Sequence, residues 1–416
     1  MINDMFIFNN IIVVFIIIII SLIFSKLYGD FFNPVSLFML LWGIIVFNVF
    51  TIFEFSFSSF LYFVVAFLSF ILPTFILLKK FPDKRIVLLG STPTQLENIK
   101  LILIICIIAR FFQIIYDLSV FFELGGDINS IFGDAQSLRF RYLSKESGLF
   151  QNIITNFLNY FSELGVILSA IYYKSAKKYM FLIISIILAL FHSTLTFSKF
   201  AFFLDVIFIV SILTIYTVPK VERKNTKQNN KMLILIGISV ILLLNIISNQ
   251  RGYDMQESRI PGIDSVLIYK VVTYFFGPTL AFLTLLDSNI THSYGIMTFT
   301  PFLRKVLEYP SIGTINLGFF DTNVYTLFGS LYIDFGYFGS IFMIFVFSLV
   351  LNIIYIKLKS RMNIGLLSIY CILNSALYLS FFDWIGRQTF FWLFPVFVYI
   401  IDKLFITKKD KGERRK

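Results

Sequence analysis

About eleven apolar runs, each long enough to cross a lipid bilayer, dictate what this 416-residue chain can fold into. An α-helix rises about 1.5 Å per residue, so about twenty apolar residues cover the roughly 30 Å of hydrocarbon in a membrane. Hydrophobic residues make up 58% of the chain and charged residues only 14%, which excludes a soluble globular domain. The sequence therefore predicts an all-α polytopic membrane protein. The predicted spans are residues 5–24, 33–53, 58–78, 99–118, 149–173, 179–197, 200–218, 232–248, 323–356, 362–382 and 388–406.

The basic residues that follow the spans set the predicted orientation. Clusters of Lys and Arg follow spans three, five, seven, nine and eleven, and positive charge collects on the cytoplasmic side of membrane proteins. The C-terminus is therefore predicted to lie in the cytoplasm and the N-terminus outside. Two segments, of about residues 121–148 and 249–321, then become long external loops, and loops of this length usually carry function.

Two stretches leave the number of spans open between eleven and twelve. Residues 266–286 are largely apolar, but Lys270 and Gly277-Pro278 interrupt them, which favours a helix at the membrane interface over a twelfth span. The ninth span is too long for one straight crossing and contains Asp334-Phe335-Gly336, where we predict a kink or a partly re-entrant turn. The sequence contains no internal repeat or low-complexity linker, so we predict one integral membrane domain over residues 1–416.

Arginine and lysine are distributed differently across the predicted membrane. The chain has 23 Lys and 12 Arg, and the segments predicted to be cytoplasmic hold 19 Lys but only 5 Arg. A guanidinium group keeps its charge and binds phosphate through two parallel hydrogen bonds. The excess of arginine elsewhere therefore indicates an enzyme or carrier that handles an anionic, lipid-linked substrate at the outer face. The net charge of +11 arises mainly from the cytoplasmic clusters and is no sign of a nucleic-acid partner.

Five arginines in the predicted outer loops are candidates for binding a diphosphate group. They are Arg139 and Arg141 in the first loop and Arg251, Arg259 and Arg304 in the second. Each charge-assisted hydrogen bond to such an anion contributes on the order of 1.5–3 kcal/mol. The alternative is that these side chains contact lipid headgroups or nearby acids such as Asp254 and Glu257.

Two further cations lie within or between the predicted spans. Arg110 lies in the middle of span four, where a charge costs roughly 2.5–3.5 kcal/mol, so it needs a partner such as Glu163 on span five. That pair is either structural or part of a substrate path. Lys199 lies in a tight external turn, with His192 before it and Asp205 after it. His192 is either a base or a satisfied polar contact.

The densest polar signal is the stretch 323–339. It contains Asn323 and Tyr325, and then Asp334 among glycines at 329, 336 and 339. Glycine permits close helix approach or a backbone break. Asp334 is therefore a general acid or base or a partner for an arginine, unless the stretch serves only helix packing. The sequence contains no metal, nucleotide or serine-hydrolase motif, and we predict neither a metal nor a cofactor.

The stretch from Asn323 to Gly339, Asn-Val-Tyr-Thr-Leu-Phe-Gly-Ser-Leu-Tyr-Ile-Asp-Phe-Gly-Tyr-Phe-Gly, resembles the late signature of oligosaccharide repeat unit polymerases of the Wzy type. Upstream, Phe276-Gly277-Pro278 and Ser293-Tyr-Gly-Ile-Met-Thr-Phe-Thr-Pro301 resemble the segment that leads into it. Ser198-Lys199 resembles the small-residue-plus-cation turn of that family. The many spans and the two large outer loops also agree, so the resemblance covers most of the chain.

The resemblance implies a metal-independent, class C-like glycosyltransferase in the bacterial inner membrane. Such an enzyme joins undecaprenyl-diphosphate-linked oligosaccharide repeats into O-antigen, capsule or exopolysaccharide among membrane lipids, with a chain-length regulator protein as a partner. In this hypothesis Arg251 and Arg259 stabilise the leaving diphosphate, and Asp334 is the base or orienting acid. The residues expected to bind substrate are Arg139, Arg141, Arg304, Lys199, Arg110, Tyr325 and Asn323.

Two other functions share part of this logic. A flippase for the same lipid-linked repeat needs charges along a path through the bilayer, usually with repeated architecture and short loops. A ligase that moves finished glycan onto another lipid needs the same outer arginines. The long outer loops favour the polymerase over the flippase, and only product analysis separates polymerase from ligase.

Overall fold

Helices account for most of the chain that the computed structural model describes. The described residues are 17–28, 30–53, 56–77, 93–127, 149–196, 198–215, 272–288, 290–304, 306–307, 314–317, 321–322, 324–360 and 362–406. The helices are α1 (Ile17–Tyr28), α2 (Pro34–Ile52), α3 (Phe57–Leu77), α4 (Pro93–Glu123), α5 (Leu149–Ala176), α6 (Met180–Leu195), α7 (Lys199–Ile215), α8 (Gly277–Leu286), α9 (Thr300–Leu303), α10 (Leu327–Ser360), α11 (Ile364–Tyr378) and α12 (Thr389–Ile401).

Short irregular elements flank three of these helices. A π-turn (Val272–Phe276) leads into α8, and a second (Asp402–Ile406) continues α12. A 3₁₀ turn (Ile385–Arg387) lies between α11 and α12. Two strands of two residues each, β1 (Ile315–Asn316) and β2 (Asp321–Thr322), pair antiparallel.

Six of the described helices are long and apolar enough to cross a membrane. Their apolar stretches are Pro34–Thr51, Phe57–Leu77, Thr94–Glu123, Gln151–Ala176, Leu327–Ser360 and Thr389–Ile406. Shorter apolar helices add five more segments of 10–17 residues. The chain is therefore a helical, membrane-embedded protein. Described helices lie in ten of the eleven predicted spans, and the eighth, 232–248, lies outside the described residues.

The described residues form two compact units. Unit 1 takes its described residues from 1–84, 255–359 and 372–393. Unit 2 takes its described residues from 85–254, 360–371 and 394–416.

Aromatic side chains form the centre of unit 1. Trp42 of α2 packs on Phe328 of α10, with ring centroids 4.3 Å apart. Phe63 of α3 contacts both Phe328, at 5.5 Å, and Phe282 of α8, at 5.9 Å. Such pairs contribute about 0.5–1.5 kcal/mol each beyond the area they bury. The unusually Phe-rich sequence, with 54 Phe, thus fixes α2, α3, α8 and α10 around one core.

Helix α8, for which the sequence favoured an interfacial position, lies in the core of unit 1. Residues 277–283 and Leu285 are all buried. An interfacial helix keeps a polar face in water, whereas protein covers this helix on nearly every side. The aromatic contacts of Phe282 explain the difference, because they draw the helix into the core of unit 1.

Helix α10 is interrupted at Gly336, which has φ 68° and ψ −168°. This backbone conformation is essentially restricted to glycine. A Cβ atom at this position would also lie only 2.9 Å from the Nε2 atom of His292. The kink predicted at Asp334-Phe335-Gly336 is therefore confirmed.

Helices α4, α5, α6 and α7 form the greater part of unit 2. The most extensive contact is between α4 and α5. Gly165 of α5 permits it, since a Cβ atom there would lie 2.9 Å from the Cβ atom of Cys106 on α4. The close approach brings the polar residues of both helices together inside the unit.

Candidate functional site

The carboxylate of Asp334 is fully buried at the break in α10 and accepts three hydrogen bonds. The hydroxyl of Ser293 and the backbone N–H of Met297, at 2.9 Å, donate to Oδ1. The backbone N–H of Thr298 donates to Oδ2 at 2.6 Å. A buried charge without such donors costs several kcal/mol, so this carboxylate requires the segment 293–298 in its place.

The same segment satisfies backbone groups that the break exposes. A helix end leaves its last carbonyl groups without intrahelical partners. Here the N–H of Ser293 donates to the carbonyl of Ile333 and the N–H of Tyr294 to the carbonyl of Asp334, both at 3.0 Å. Main-chain and side-chain groups of α10 therefore anchor one segment, 293–298, which leads directly into α9.

The burial of Asp334 bears on its predicted role. A general base must reach the proton of a substrate hydroxyl, and Asp334 has no exposed surface. A carboxylate that holds a loop in place fits the orienting role better. Its part in catalysis stays a prediction, with the geometry favouring the orienting acid over the base.

His292 is an exposed titratable side chain beside the break. Its ring lies over Gly336 and contacts Tyr332 edge to face, with ring centroids 5.9 Å apart. An imidazole can accept a proton near neutral pH. His292 is therefore better placed than Asp334 to act as a base.

A second segment, 379–392, is anchored beside the first. The indole Nε1 of Trp384 donates to the carbonyl of Thr298 at 3.2 Å. The N–H of Leu327, at the start of α10, donates to the carbonyl of Ser380 at 2.7 Å. Asp383 forms an ion pair with Arg387, and the indole Nε1 of Trp392 donates to the carbonyl of Gly386 at 2.7 Å.

The second segment, together with α9 and the residue before it, presents cations and aromatic rings. We call this the aromatic-basic surface, defined by Phe299, Phe302, Arg304, Arg387 and Trp392. The ring of Trp392 lies 5.7 Å from that of Phe299 and 5.5 Å from that of Phe302, which is 57% exposed. Arg304 is exposed at the end of α9, and α9 packs against the 3₁₀ turn that carries Arg387. Guanidinium groups suit phosphate, and aromatic rings commonly line sites for organic ligands.

Burial raises the pKa of Asp383 to about 6, and the charge of Arg387 only partly offsets this. Because the pKa of an unfolded aspartate is about 3.9, the folded chain binds the extra proton between about pH 4 and pH 6. The free energy of unfolding should therefore fall by roughly 3 kcal/mol as the pH rises through this window, and stay level above it. Thermal unfolding of wild type and of Asp383→Asn is measured at several pH values in this range. The difference between their free energies of unfolding should change with pH, because only wild type can bind the extra proton. Parallel curves for the two proteins would contradict it.

The predicted site residues divide into those the structure places and those it does not. Arg139, Arg141, Arg251, Arg259 and Asn323 lie outside the described residues. Lys199 begins α7, but its side chain is outside the described part. Tyr325 is buried in a cluster with Ala281, Met297 and Ile333, which is a packing position. Arg304 and Asp334 belong to one region, because the anchored segment leads into α9.

Arg110 lies in unit 2 and forms what we call the buried triad with Glu163 and Asp205. The predicted pairing with Glu163 is confirmed at 3.7 Å between Nη1 and Oε1. A closer partner is Asp205, whose Oδ2 accepts from Nη2 at 2.8 Å. Sequence reasoning had noted Asp205 only as a neighbour of Lys199. The three side chains are contributed by α4, α5 and α7.

The residues that complete the aromatic-basic surface are not among those predicted from the sequence. Arg387 is one of the arginines predicted to lie away from the cytoplasm, but it was not among the predicted site residues. Trp384 and Trp392 were not considered, although tryptophan is rare in this chain, with 3 in total. A rare amphipathic residue beside an arginine in a predicted outer turn is the signal that was available.

Comparison of the chain with protein-family models, with curated protein sequences and with solved structures gave no match in any of the three. The resemblance to the oligosaccharide repeat unit polymerases thus stays a prediction from the residues quoted for it.

Proposed function

We propose that this protein is a membrane glycosyltransferase that polymerises undecaprenyl-diphosphate-linked oligosaccharide repeats into a surface polysaccharide. In this proposal it lies in the bacterial inner membrane with eleven or twelve spans, and the reaction takes place at the outer face. The observation that carries the proposal is the anchoring of segment 293–298 by Asp334, which supports the aromatic-basic surface at one end of unit 1.

The charge pattern supports an outward position for this surface. Arg304 belongs to the predicted outer loop 249–321, and Arg387 lies in the short turn between predicted spans ten and eleven. The donor of such a reaction carries a diphosphate leaving group on a lipid. Fixed guanidinium groups stabilise the negative charge that develops as the glycosidic bond to that diphosphate breaks.

Each part of the surface then has a chemical task. Arg304 and Arg387 bind phosphate oxygens. Arg251 and Arg259, which belong to the same predicted loop as Arg304, bind further oxygens of the diphosphate. The rings of Phe302 and Trp392 contact the sugar units. His292 accepts the proton of the attacking hydroxyl, which contributes roughly 10²–10⁴-fold to the rate.

The decisive experiment reconstitutes the purified chain in liposomes with the lipid-linked repeat of its host and resolves the products by glycan length. Wild type should give a ladder of polymers. Arg304→Ala should lower the rate of polymer formation by about 10²-fold, since removing one fixed donor to a developing anion costs that much. The rate of polymer formation by Arg304→Lys should lie between those of wild type and Arg304→Ala, because an ammonium group keeps the charge but not the paired hydrogen bonds.

Lys100→Ala is the matched control, since Lys100 is an exposed cation at the start of α4 in unit 2. It should leave the ladder unchanged. Transfer of finished glycan to a different lipid would identify a ligase instead. Failure of wild type to make any ladder or transfer product would reject a glycosyltransferase.

A carrier for the same lipid-linked repeat is the second candidate, and the buried triad favours it. Ionisable side chains inside a membrane often mark the path of a transported ion or substrate. In the same liposomes, a carrier moves the repeat unit across the bilayer without lengthening it. That result would replace the polymerase proposal.

A further inference from the structure

The buried triad has an unbalanced charge. Arg110, Glu163 and Asp205 are 4%, 6% and 1% exposed, and with both acids ionised they carry one positive and two negative charges. Uncompensated charge away from water is strongly unfavourable. One proton bound within the triad balances this charge.

Hydrogen bonding within the triad points to where that proton resides. The two carboxyl groups contact the same guanidinium group, since Glu163 Oε1 and Asp205 Oδ2 lie 3.7 and 2.8 Å from Nη1 and Nη2 of Arg110. Ionised carboxylates only accept hydrogen bonds, so two of them cannot bond together unless one carries a proton. Glu163 Oε2 and Asp205 Oδ1 are both buried without a hydrogen-bond partner among the described residues.

We propose that the buried triad is a proton-binding site, in which Glu163 carries a proton and donates it in a hydrogen bond to Asp205. Asp205 stays ionised because it accepts the 2.8 Å bond from the guanidinium of Arg110. Glu163 lies farther from that guanidinium, at 3.7 Å. The proton makes the triad neutral overall, and each carboxyl group has a buried oxygen that lacks another partner among the described residues. This proposal holds whether the chain is a polymerase or a carrier.

The surroundings fit a proton better than a metal ion. A cavity of about 10 Å³ beside Arg110 and Ser162 admits about one water molecule. Any metal cation there would lie next to a guanidinium group and be repelled by it. Among the described residues, no set of three or more His, Cys, Asp or Glu side chains is arranged to hold a metal ion.

Polar side chains connect the triad with one end of unit 2. Gln113 and Asp117 follow Arg110 on the same face of α4, one and two helical turns towards Glu123. The hydroxyl of Ser162 donates to Gln113 at 2.6 Å, and His192 Nδ1 lies 2.7 Å from Asp117 Oδ2. Hydrogen-bonding groups thus line α4 on this side of the triad.

The opposite direction along α4 is closed by apolar side chains. Ile99, Leu103 and Cys106 are buried there. The π-turn after α12 also packs on α4, and its Asp402 accepts a hydrogen bond from the N–H of Gly365. The titratable groups along the polar face are therefore the three members of the triad, Asp117 of α4 and His192 of α6.

Infrared spectroscopy of the purified full chain tests the site directly, because a protonated carboxylic acid has a carbonyl band of its own. The spectrum is recorded at about pH 8, where Asp383, with a pKa of about 6, is ionised. Wild type should show the band, and Glu163→Gln should lose it. Glu97→Gln, which changes an exposed acid on the same helix, should retain it.

Isotope labelling makes the test independent of any variant that fails to fold. Carbon-13 in the side-chain carboxyl of glutamate should move the band of wild-type protein, while the same label in aspartate should leave it in place. Absence of the band in wild type would overturn the proposal. A band that moves only with labelled aspartate would overturn the assignment to Glu163.

Discussion

Replacing Arg110 by methionine should lower the free energy of unfolding by roughly 3–5 kcal/mol, because it leaves Glu163 and Asp205 buried without their only nearby cation among the described residues. Removing one partner of a buried ion pair costs more than the pair contributes, since the remaining charge stays out of water. Loss of helical circular dichroism during denaturation in mixed detergent micelles measures the change. Tryptophan fluorescence does not serve here, because the 3 tryptophans all belong to unit 1.

Two companion variants separate charge from packing at the triad. Arg110→Lys should recover part of the loss, since it restores the charge without the second donor. Combining Arg110→Met with Glu163→Gln and Asp205→Asn should recover more, because uncharged groups of similar volume often replace a buried ion cluster with little loss. If Arg110→Met alone unfolds like wild type, the triad is not the buried ion cluster described above.

Asp334→Asn should lower the free energy of unfolding by about 3–5 kcal/mol, because the amide that replaces one carboxylate oxygen cannot accept a hydrogen bond. The buried N–H groups of Met297 or Thr298 then face a donor instead of an acceptor. The anchored segment should come loose before the rest of unit 1 unfolds. Trypsin should therefore cleave after Arg304 many times faster than in wild type, and mass spectrometry of the fragments measures this.

Asp287→Asn provides the control for this variant. Asp287 is an exposed acid at the end of α8 in the same unit, and surface substitutions of this kind usually change stability by less than about 0.5 kcal/mol. Its rate of cleavage after Arg304 should equal that of wild type. Equal rates for Asp334→Asn and wild type would show that the carboxylate does not hold the segment.

Sequence reasoning succeeded where the signal was local. The apolar runs predicted the helices, and Asp334-Phe335-Gly336 predicted the break in α10, since glycine permits a conformation that other residues rarely adopt. The cost of a charge in hydrocarbon predicted a partner for Arg110. These inferences needed only periodicity, residue type and the physics of the membrane.

Other features arise from contacts that no local pattern encodes. Asp205 lies 95 residues from Arg110 in sequence, and the packing of both α4 and α7 against α5 brings them together. The partners of Asp334 include two backbone N–H groups, which every residue except proline supplies. The burial of α8 was not predicted, because its polar interruptions were weighed without the aromatic core that surrounds Phe282.

The anchoring of segment 293–298 has a consequence for how this region tolerates sequence change. Met297 and Thr298 bind Asp334 through their N–H groups, and Thr298 receives the indole of Trp384 through its carbonyl. Because these contacts use the main chain, the side chains at 297 and 298 are free to vary as far as this anchor is concerned, whereas position 334 must remain an acid. Related chains can thus exchange the side chains of this segment for others that fit the same core and still keep its main-chain hydrogen bonds to position 334.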